Sequence, residues 1–129
     1  MINVLVADDH QDVRKVISNL LKDYADVRLV AEASSFREVI DRSSDCHPDV
    51  ILMDVHMGDE RKIVPSDLKS RLADCQILAM SLWTDRETKA LAESFGAVTL
   101  LDKTKLDSEL SLSLECCARL RKMKFASAS

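Results

Sequence analysis

Two short, largely apolar stretches of the sequence each end in aspartate. Val50–Met53 runs into Asp54, and Ile2–Ala7 runs into Asp8 and Asp9. An unbroken apolar run of this length predicts a strand that is buried on both faces of a parallel sheet. A carboxylate at the end of such a strand is costly to bury unless it is paired or hydrogen-bonded. Each acid alone could simply cap the helix or turn that follows, but two such strands together predict one shared acidic pocket.

The sequence alternates between short apolar runs and longer segments whose apolar residues recur every three or four positions. The first pattern predicts β-strands and the second predicts amphipathic helices. The predicted strands are about Ile2–Ala7, Val27–Ala33, Asp49–Asp54, Gln76–Ser81 and Ala97–Leu101. The predicted helices are about Asp12–Tyr24, Ser35–Ser44, a segment from Pro65, a segment from Thr84 to Gly96, and Asp107–Lys124. Five strands that alternate with five helices predict a parallel sheet with helices on both faces.

Two of the predicted helices begin with the spacing of a capping box. Ser35 precedes Glu38 by three positions, and Thr84 precedes Glu87 in the same way. In this motif the hydroxyl accepts a hydrogen bond from the backbone N–H three residues later, and the carboxylate reaches back to the start of the helix. Both helices are therefore predicted to begin at the hydroxyl residue.

The carboxyl ends of parallel strands meet at one edge of a sheet, where ligands of such folds bind. This rule places Asp8, Asp9, Asp54 and Ser81 at one edge, and Lys103 joins them just after the fifth strand. Carboxylates at close range disfavour one another's ionised form, and a divalent cation relieves that conflict. Oxygen ligands that leave room for water favour Mg²⁺. Mg²⁺, an ammonium and a hydroxyl suit the oxygens of a phosphoryl group in transfer, so the pocket predicts a phosphoryl-accepting aspartate beside a metal site.

Composition narrows the class of protein. A chain of 129 residues predicts one domain. A net charge of −4 without a long basic run argues against nucleic-acid binding through this domain's own field. No apolar stretch approaches the length of a membrane span, and the start of the sequence, Met1–Asn3, lacks the basic segment expected of a signal peptide. The four cysteines show no zinc-site spacing, so we expect reduced thiols in a cytoplasmic protein.

Four motifs at the predicted strand ends resemble those of the receiver domain of two-component response regulators. They are Val6–His10, Leu52–Met57, Ala79–Ser81 and Gly96–Lys103, and the resemblance covers about residues 1–124. The resemblance implies an α/β, flavodoxin-like fold, with a doubly wound five-stranded parallel sheet of order 2-1-3-4-5 and five helices on both faces. It also implies a signalling switch that takes part in its own phosphorylation and dephosphorylation, rather than a metabolic enzyme.

The resemblance implies how Mg²⁺ is held. Asp54 matches the phosphoacceptor, which also ligates the metal ion. Asp9 matches a direct ligand, and Asp8 matches an acid that holds the ion through water. The backbone carbonyl of His56 matches the remaining protein ligand.

The resemblance also implies how the phosphoryl group is received. Ser81 matches the switch hydroxyl that bonds to the phosphoryl group, and Lys103 matches the lysine that pairs with it. The phosphodonor is then a phosphohistidine on a sensor histidine kinase or a phosphotransfer protein. His10, which follows the acid pair, is interpreted as the start of the first helix.

The sequence departs from the family pattern next to Lys103. Leu100 stands where the family often has an aromatic residue, so the outward signal would travel through packing alone. Thr104 stands where proline often follows the lysine, and we expect a trans Lys103–Thr104 bond because a cis bond before a non-proline residue is costly.

The loop after Asp54 and the segment after Ser81 are also distinctive. Gly58 can adopt a positive φ, and the charged quartet Asp59–Lys62 is predicted to be a solvated surface loop, with a partner contact as the alternative. We expect the side chains of Trp83 and His56 to lie over the phosphoryl site, with Trp83 limiting the access of water.

The domain boundary and the partners are expectations at this level. We expect residues 1–125 to form the receiver domain and residues 126–129 to be a tail or the start of a linker to an output domain, such as a DNA-binding domain. A homodimer is compatible with the family. The alternative is a degenerate receiver that acts as a phosphorylation-independent protein-interaction module, which Leu100 and Thr104 favour and the intact acidic pocket disfavours.

Overall fold

The computed structural model describes the backbone of residues 1–128 and the side chains of residues 1–120. Five strands alternate with five α-helices along this part of the chain. The strands are β1 (Ile2–Ala7), β2 (Val27–Ala33), β3 (Val50–Asp54), β4 (Gln76–Ser81) and β5 (Thr99–Asp102). The helices are α1 (Gln11–Leu21), α2 (Phe36–Cys46), α3 (Pro65–Arg71), α4 (Arg86–Ser94) and α5 (Leu106–Ala128). Single 3₁₀ turns occur at Glu60–Lys62 and Lys103–Lys105.

The strands form one parallel sheet in the order β2-β1-β3-β4-β5. This confirms the predicted doubly wound, flavodoxin-like architecture. After β2 the chain crosses to the other side of β1, so the winding direction reverses between β1 and β3. In register, Asp54 lies opposite Met80 and Ser81 lies opposite Asp102. The carboxyl ends of the central strands are therefore level, and the acids that follow them share one edge.

The sheet separates two hydrophobic cores. Alternate residues of each central strand point to opposite faces, since successive side chains of a strand alternate. Val4, Val6 and Leu52 pack with α1 and α5, whereas Leu5, Ile51 and Met53 pack with α2, α3 and α4. The helix residues of the first core include Ile17, Leu21, Leu110, Leu114 and Cys117, and those of the second include Phe36, Val39, Leu68 and Ala92. Burial on both faces explains why β3 is apolar at every position before Asp54.

The two predicted capping boxes have different outcomes. At α2 the prediction is confirmed, because the Ser35 hydroxyl accepts a hydrogen bond from the Glu38 N–H. The Glu38 carboxylate accepts from the N–H and hydroxyl of Ser34. At α4 the predicted Thr84 cap is wrong. The cap is Asp85, whose carboxylate accepts from the hydroxyl of Thr88 rather than from a backbone N–H.

Helix ends and faces differ in detail from the sequence pattern. The apolar stripes of the sequence pattern include Val16 on α1 and Leu120 on α5 and predict that both face inward, but both side chains are exposed. Helix α5 continues to Ala128, beyond the predicted end near Lys124. The linker expected at residues 126–129 stays a prediction, and Ser129 lies outside the described residues.

The cysteines are free thiols, and their surroundings differ. Cys116 is exposed, whereas Cys117 is buried against the α1–α5 core. Burial raises the pKa of the Cys75 and Cys117 thiols to about 11. In the part of the chain that the structure describes, no helix has the length and apolar character needed to cross a membrane.

Two leucines on α5 provide a matched test of the core. Leu110 is fully buried, whereas the side chain of Leu112, two positions later, is 72% exposed. We expect Leu110→Ala to lower the free energy of unfolding by about 2–5 kcal/mol, since it leaves a cavity in the α1–α5 core. Leu112→Ala should change it by less than about 0.5 kcal/mol. Urea denaturation followed by circular dichroism measures both, and equal losses would contradict the assigned packing face of α5.

Candidate functional site

Two aspartates and one lysine meet at the carboxyl edge of the sheet. The Nζ atom of Lys103 lies 2.5 Å from Asp8 Oδ2 and 3.0 Å from Asp54 Oδ2. The exposed fractions of the three side chains are only 10% for Lys103, 0% for Asp8 and 6% for Asp54. The structure therefore brings together three of the residues that the sequence placed at this edge.

Backbone geometry positions each member of this cluster. Asp8 directly follows β1, and its N–H donates to the Ala33 carbonyl of β2. Asp54 is the last residue of the adjacent strand β3. Lys103 opens the 3₁₀ turn after β5, two strands away from β3, and its long side chain extends across the edge to reach both acids. The Lys103–Thr104 bond is trans, as predicted.

The turn that carries Lys103 is held by its neighbours. The N–H and hydroxyl of Thr104 both donate to Asp102 Oδ1, at 2.9 and 2.7 Å. The N–H of Asp102 donates to a carboxylate oxygen of Glu109 on α5, at 3.0 Å. Thr104 thus stabilises the turn through hydrogen bonds that a proline at this position could not donate.

The charges of the cluster do not balance. Burial raises the pKa of Asp54 more strongly than the His56 N–H and the charge of Lys103 lower it. Burial acts in the opposite sense on Lys103, but its contacts with Asp8 and Asp54 outweigh burial, so the pKa of Lys103 is raised. The single ammonium of Lys103 is thus paired with two buried carboxylates. This leaves an excess of negative charge that a bound cation would offset.

The donor set fits a hard divalent cation. Asp8 Oδ2 is buried and contacts Lys103 as an ion pair, but no hydrogen bond of good geometry reaches it from the described residues. Asp8, Asp9 and His10 each offer a ligand atom, all within 4.8 Å of one another. Asp9 is the more accessible acid, with a side chain 36% exposed and a contact of 3.0 Å to His10 Nδ1. Carboxylate oxygens beside open solvent are the environment that Mg²⁺ prefers.

His10 has a second role that the sequence did not reveal. It is the N-cap residue of α1, as expected, and its N–H donates to Asp8 Oδ1 at 2.9 Å. Its imidazole Nδ1 lies beside both acids. The adjacent position in sequence was the available signal, since a side chain that follows an acid pair can fold back onto it.

Ser81 ends β4 one residue beyond the level of Asp54, and its side chain is buried. Its hydroxyl oxygen accepts a hydrogen bond from the Trp83 N–H at 3.0 Å. The indole of Trp83 is largely exposed and packs edge-on against His56, with ring centroids 5.8 Å apart. Leu100, in the adjacent strand β5, is half-buried and packs against the core on the α2–α4 side.

The loop after β3 is anchored more firmly than the sequence suggests. Gly58 has φ of +100°, in agreement with the prediction. Asp59 accepts hydrogen bonds from the N–H groups of Phe36 and Arg37, so it binds the start of α2. Glu60 accepts from the Gly58 N–H, and its other oxygen lies 3.6 Å from His56 Nδ1. The description of Asp59–Lys62 as a purely solvated quartet is therefore wrong for its first two members.

Comparison with known proteins gives one consistent result. The family model described as "Response regulator receiver domain" matches residues 4–115. The chain is 30% identical over 124 residues to a protein-glutamate methylesterase/protein-glutamine glutaminase of Bradyrhizobium diazoefficiens, covering 93% of this chain and 33% of that protein. It is 31% identical over 116 residues to the DNA-binding transcriptional activator DevR/DosR of Mycobacterium tuberculosis, covering 89% of this chain and 54% of that protein.

A solved structure agrees with the sequence comparisons. The signal receiver domain of the response regulator NarL from Mycobacterium tuberculosis superimposes with a TM-score of 0.79 at 25% identity, covering 91% of this chain and 96% of that domain. The chain belongs to the response regulator receiver domain family. Members of this family are signalling switches of two-component systems. The chain spans between a third and about half of the length of the two curated relatives described above.

The raised pKa of Asp54 predicts a pH-dependent stability. The folded protein holds the Asp54 proton more tightly than the unfolded chain, so stability falls as pH rises from the unfolded value of 3.8 through the raised pKa. Asp54→Asn keeps an acceptor for the His56 N–H but removes the buried charge. At pH 7 without Mg²⁺ we expect this variant to be more stable than wild type, because the neutral amide avoids the cost of burying a carboxylate charge.

Denaturation experiments at a series of pH values from 7 to 4 measure this difference in stability between wild type and Asp54→Asn. The stability advantage of Asp54→Asn should shrink as pH falls, because the wild-type carboxyl becomes protonated. Asp41→Asn is the control, since the Asp41 side chain is 65% exposed on α2. A stability difference for Asp54→Asn that does not change with pH would contradict the assigned electrostatics.

Proposed function

We propose that this domain accepts a phosphoryl group on Asp54 from a phosphohistidine donor, in a Mg²⁺-dependent reaction. The observation that carries this proposal is the buried cluster of Asp8, Asp54 and Lys103, with one ammonium between two carboxylates. Membership in the receiver family supports the same assignment. Asp8, Asp9, Asp54 and the backbone carbonyl of His56 would hold the ion. When bound, Mg²⁺ supplies positive charge to the oxygens of the transferring phosphoryl group.

The carboxylate of Asp54 is the nucleophile in this proposal. One of its oxygens forms a bond to phosphorus while the bond between phosphorus and the donor imidazole nitrogen breaks, and that electron pair stays on the nitrogen. Asp54 Oδ1 is oriented by the His56 N–H, at 3.1 Å. The ammonium of Lys103 is already 3.0 Å from Asp54 Oδ2, so it can pair with the phosphoryl oxygens without a large movement.

In this proposal Ser81 transmits the phosphorylation of Asp54 to the surface segment before α4. Its hydroxyl oxygen accepts from the Trp83 N–H, and its proton can donate to a phosphoryl oxygen at the same time. A movement of the Ser81 side chain toward the phosphoryl group would therefore displace the segment of Leu82 and Trp83, which leads into α4. Leu100 has no polar group, so the change reaches β5 through side-chain packing. This proposal retains a switch at α4 and β5 without an aromatic residue at position 100.

The proposed partners follow from the family. Response regulators work with histidine kinases and often carry a DNA-binding output domain. DevR/DosR of Mycobacterium tuberculosis is described as DNA-binding, and this chain matches 54% of its length. We therefore propose a sensor histidine kinase or phosphotransfer protein as the donor, a cytoplasmic location, and an output domain or partner protein as the receiver of the signal. A homodimer of the phosphorylated form is part of the same proposal.

Chemical phosphorylation tests the acceptor. Incubation with acetyl phosphate and Mg²⁺ should add the mass of one phosphoryl group to the intact protein, and hydroxylamine should remove it as it does other acyl phosphates. Asp54→Ala should abolish the adduct because the nucleophile is gone, and EDTA should suppress it. Asp41→Asn, which removes an exposed carboxylate on α2, is the matched control. An adduct that persists in Asp54→Ala, or no adduct and no change in Trp83 fluorescence with beryllofluoride, would refute the proposal and favour an interaction module.

The position of Trp83 predicts the lifetime of the phosphorylated state. Its indole packs against His56, beside the backbone N–H that binds Asp54. If the indole limits the access of water, Trp83→Ala should shorten the half-life of the phosphorylated protein about threefold, equivalent to roughly 0.7 kcal/mol in activation free energy.

Leu82→Ala is the control for Trp83→Ala. Leu82 is also exposed and precedes Trp83 in the same segment, so its loss changes local apolar surface without removing the indole. The half-life is read from the decay of the mass adduct after acetyl phosphate is removed. Equal half-lives of wild type and Trp83→Ala would exclude the shielding role.

A further inference from the structure

Arg14 contacts the acid pair from outside the cluster described above. Its Nη1 atom donates to the backbone carbonyl of Asp8 at 2.6 Å. Its Nε atom donates to Glu32 Oε1 on β2 at 3.2 Å. The side chain is only 17% exposed, whereas that of Arg37 on α2 is 79% exposed. The guanidinium of Arg14 is thus largely buried and donates two hydrogen bonds at the same time.

The position of the Asp8 carbonyl is coupled to the backbone position of Asp9. This carbonyl shares one planar peptide unit with the N–H and Cα of Asp9, because the peptide bond does not rotate freely. A hydrogen bond that holds the Asp8 oxygen therefore also holds the Cα of Asp9. The guanidinium thereby restricts the position of the Asp9 Cα atom, from which the carboxylate side chain extends.

The two acids are not anchored equally. Asp8 is held by the Ala33 carbonyl, the His10 N–H and Lys103, in addition to Arg14. The contact recorded for the Asp9 side chain, among the described residues, is that with His10, whose imidazole is itself 72% exposed. Asp9 consequently depends on its backbone for position more than Asp8 does.

We propose that Arg14, braced by Glu32, is a positioning residue that orients the Asp8–Asp9 peptide and thereby raises the affinity of the site for Mg²⁺. The inference rests on the proposed function, since it concerns the metal site of that function. Arg14 contacts neither the ion nor the phosphoryl group, and it acts through the backbone. Groups that orient metal ligands commonly change metal affinity by about 10- to 100-fold when they are replaced.

Charge alone predicts the opposite effect. A guanidinium near a divalent cation repels it, so removal of Arg14 would strengthen Mg²⁺ binding if electrostatics dominated. The ion pair with Glu32 offsets part of that repulsion. The sign of the change in affinity therefore separates positioning from electrostatic repulsion.

The experiment is a titration of the full chain with MgCl₂, followed by the amide signals in ¹H–¹⁵N correlation spectra. Arg14→Gln should weaken Mg²⁺ binding about tenfold. Arg14→Lys keeps the charge, but its single nitrogen cannot serve both the Asp8 carbonyl and Glu32, so it should also weaken binding. Glu32→Gln leaves the guanidinium without its charged brace and should weaken binding less, but loss of a carboxylate weakens cation binding by charge alone. Arg14→Lys, which keeps the charge, is therefore the decisive variant if Arg14→Gln does not fold. Lys15→Gln removes a charge from the next, exposed position of α1 and should bind Mg²⁺ as tightly as wild type, or slightly more tightly.

Thermal denaturation without Mg²⁺ separates positioning from a structural role. Variants of Arg14 that lose stability but keep the wild-type affinity for Mg²⁺ would overturn the inference, as would tighter binding by Arg14→Gln. If Arg14→Gln and Lys15→Gln change affinity by the same amount, the effect is only electrostatic and the inference is also overturned. Failure of the wild-type protein to bind Mg²⁺ would instead overturn the proposed function, and this inference with it.

Discussion

Two buried carboxylates compete for one buried ammonium at the carboxyl edge of the sheet, and the rest of the site depends on that imbalance. Taking an ion out of water costs several kcal/mol even after relaxation, unless another charge compensates it. Lys103 reaches both Asp8 and Asp54, but its single charge neutralises only one of them. A bound cation would offset the uncompensated charge, and the same lysine would pair with an incoming phosphoryl group. The proposed cation binding and the proposed phosphoryl acceptance therefore rest on one arrangement.

The fold makes this costly arrangement possible because both acids lie at the ends of largely buried strands. β1 and β3 are adjacent, and the chain reverses its direction of winding between them. At such a reversal, the carboxyl ends of the strands in a doubly wound sheet border a crevice in which ligands bind. Contacts from distant segments hold the surrounding loops. Asp59 binds the start of α2, where the helix dipole favours a carboxylate, and Glu60 holds the backbone beside His56.

Much of the fold could be predicted from the periodicity of the sequence. The five strands, the five helices and the acids at the strand ends follow from local patterns that tertiary packing did not override. The errors occur where the pattern is locally ambiguous. Val16 and Leu120 fit the apolar stripe of their helices, yet each lies at its margin, and the width of the buried stripe depends on the neighbouring helix. At α4 both Thr84 and Asp85 are good capping residues, and the backbone selects Asp85.

By itself the sequence determined the class of the site: which acids end buried strands, which lysine follows the last strand, and that these residues converge. Residue type and strand order suffice for that conclusion, because parallel strands bring their carboxyl ends to one edge. Only the tertiary structure decided how the acids are held. The bond from Arg14 to the Asp8 carbonyl, its brace by Glu32, and the cap that Asp59 places on α2 join residues 6 to 23 positions apart. Such contacts depend on side-chain direction and on distances across the sheet edge, which no local pattern of residues encodes.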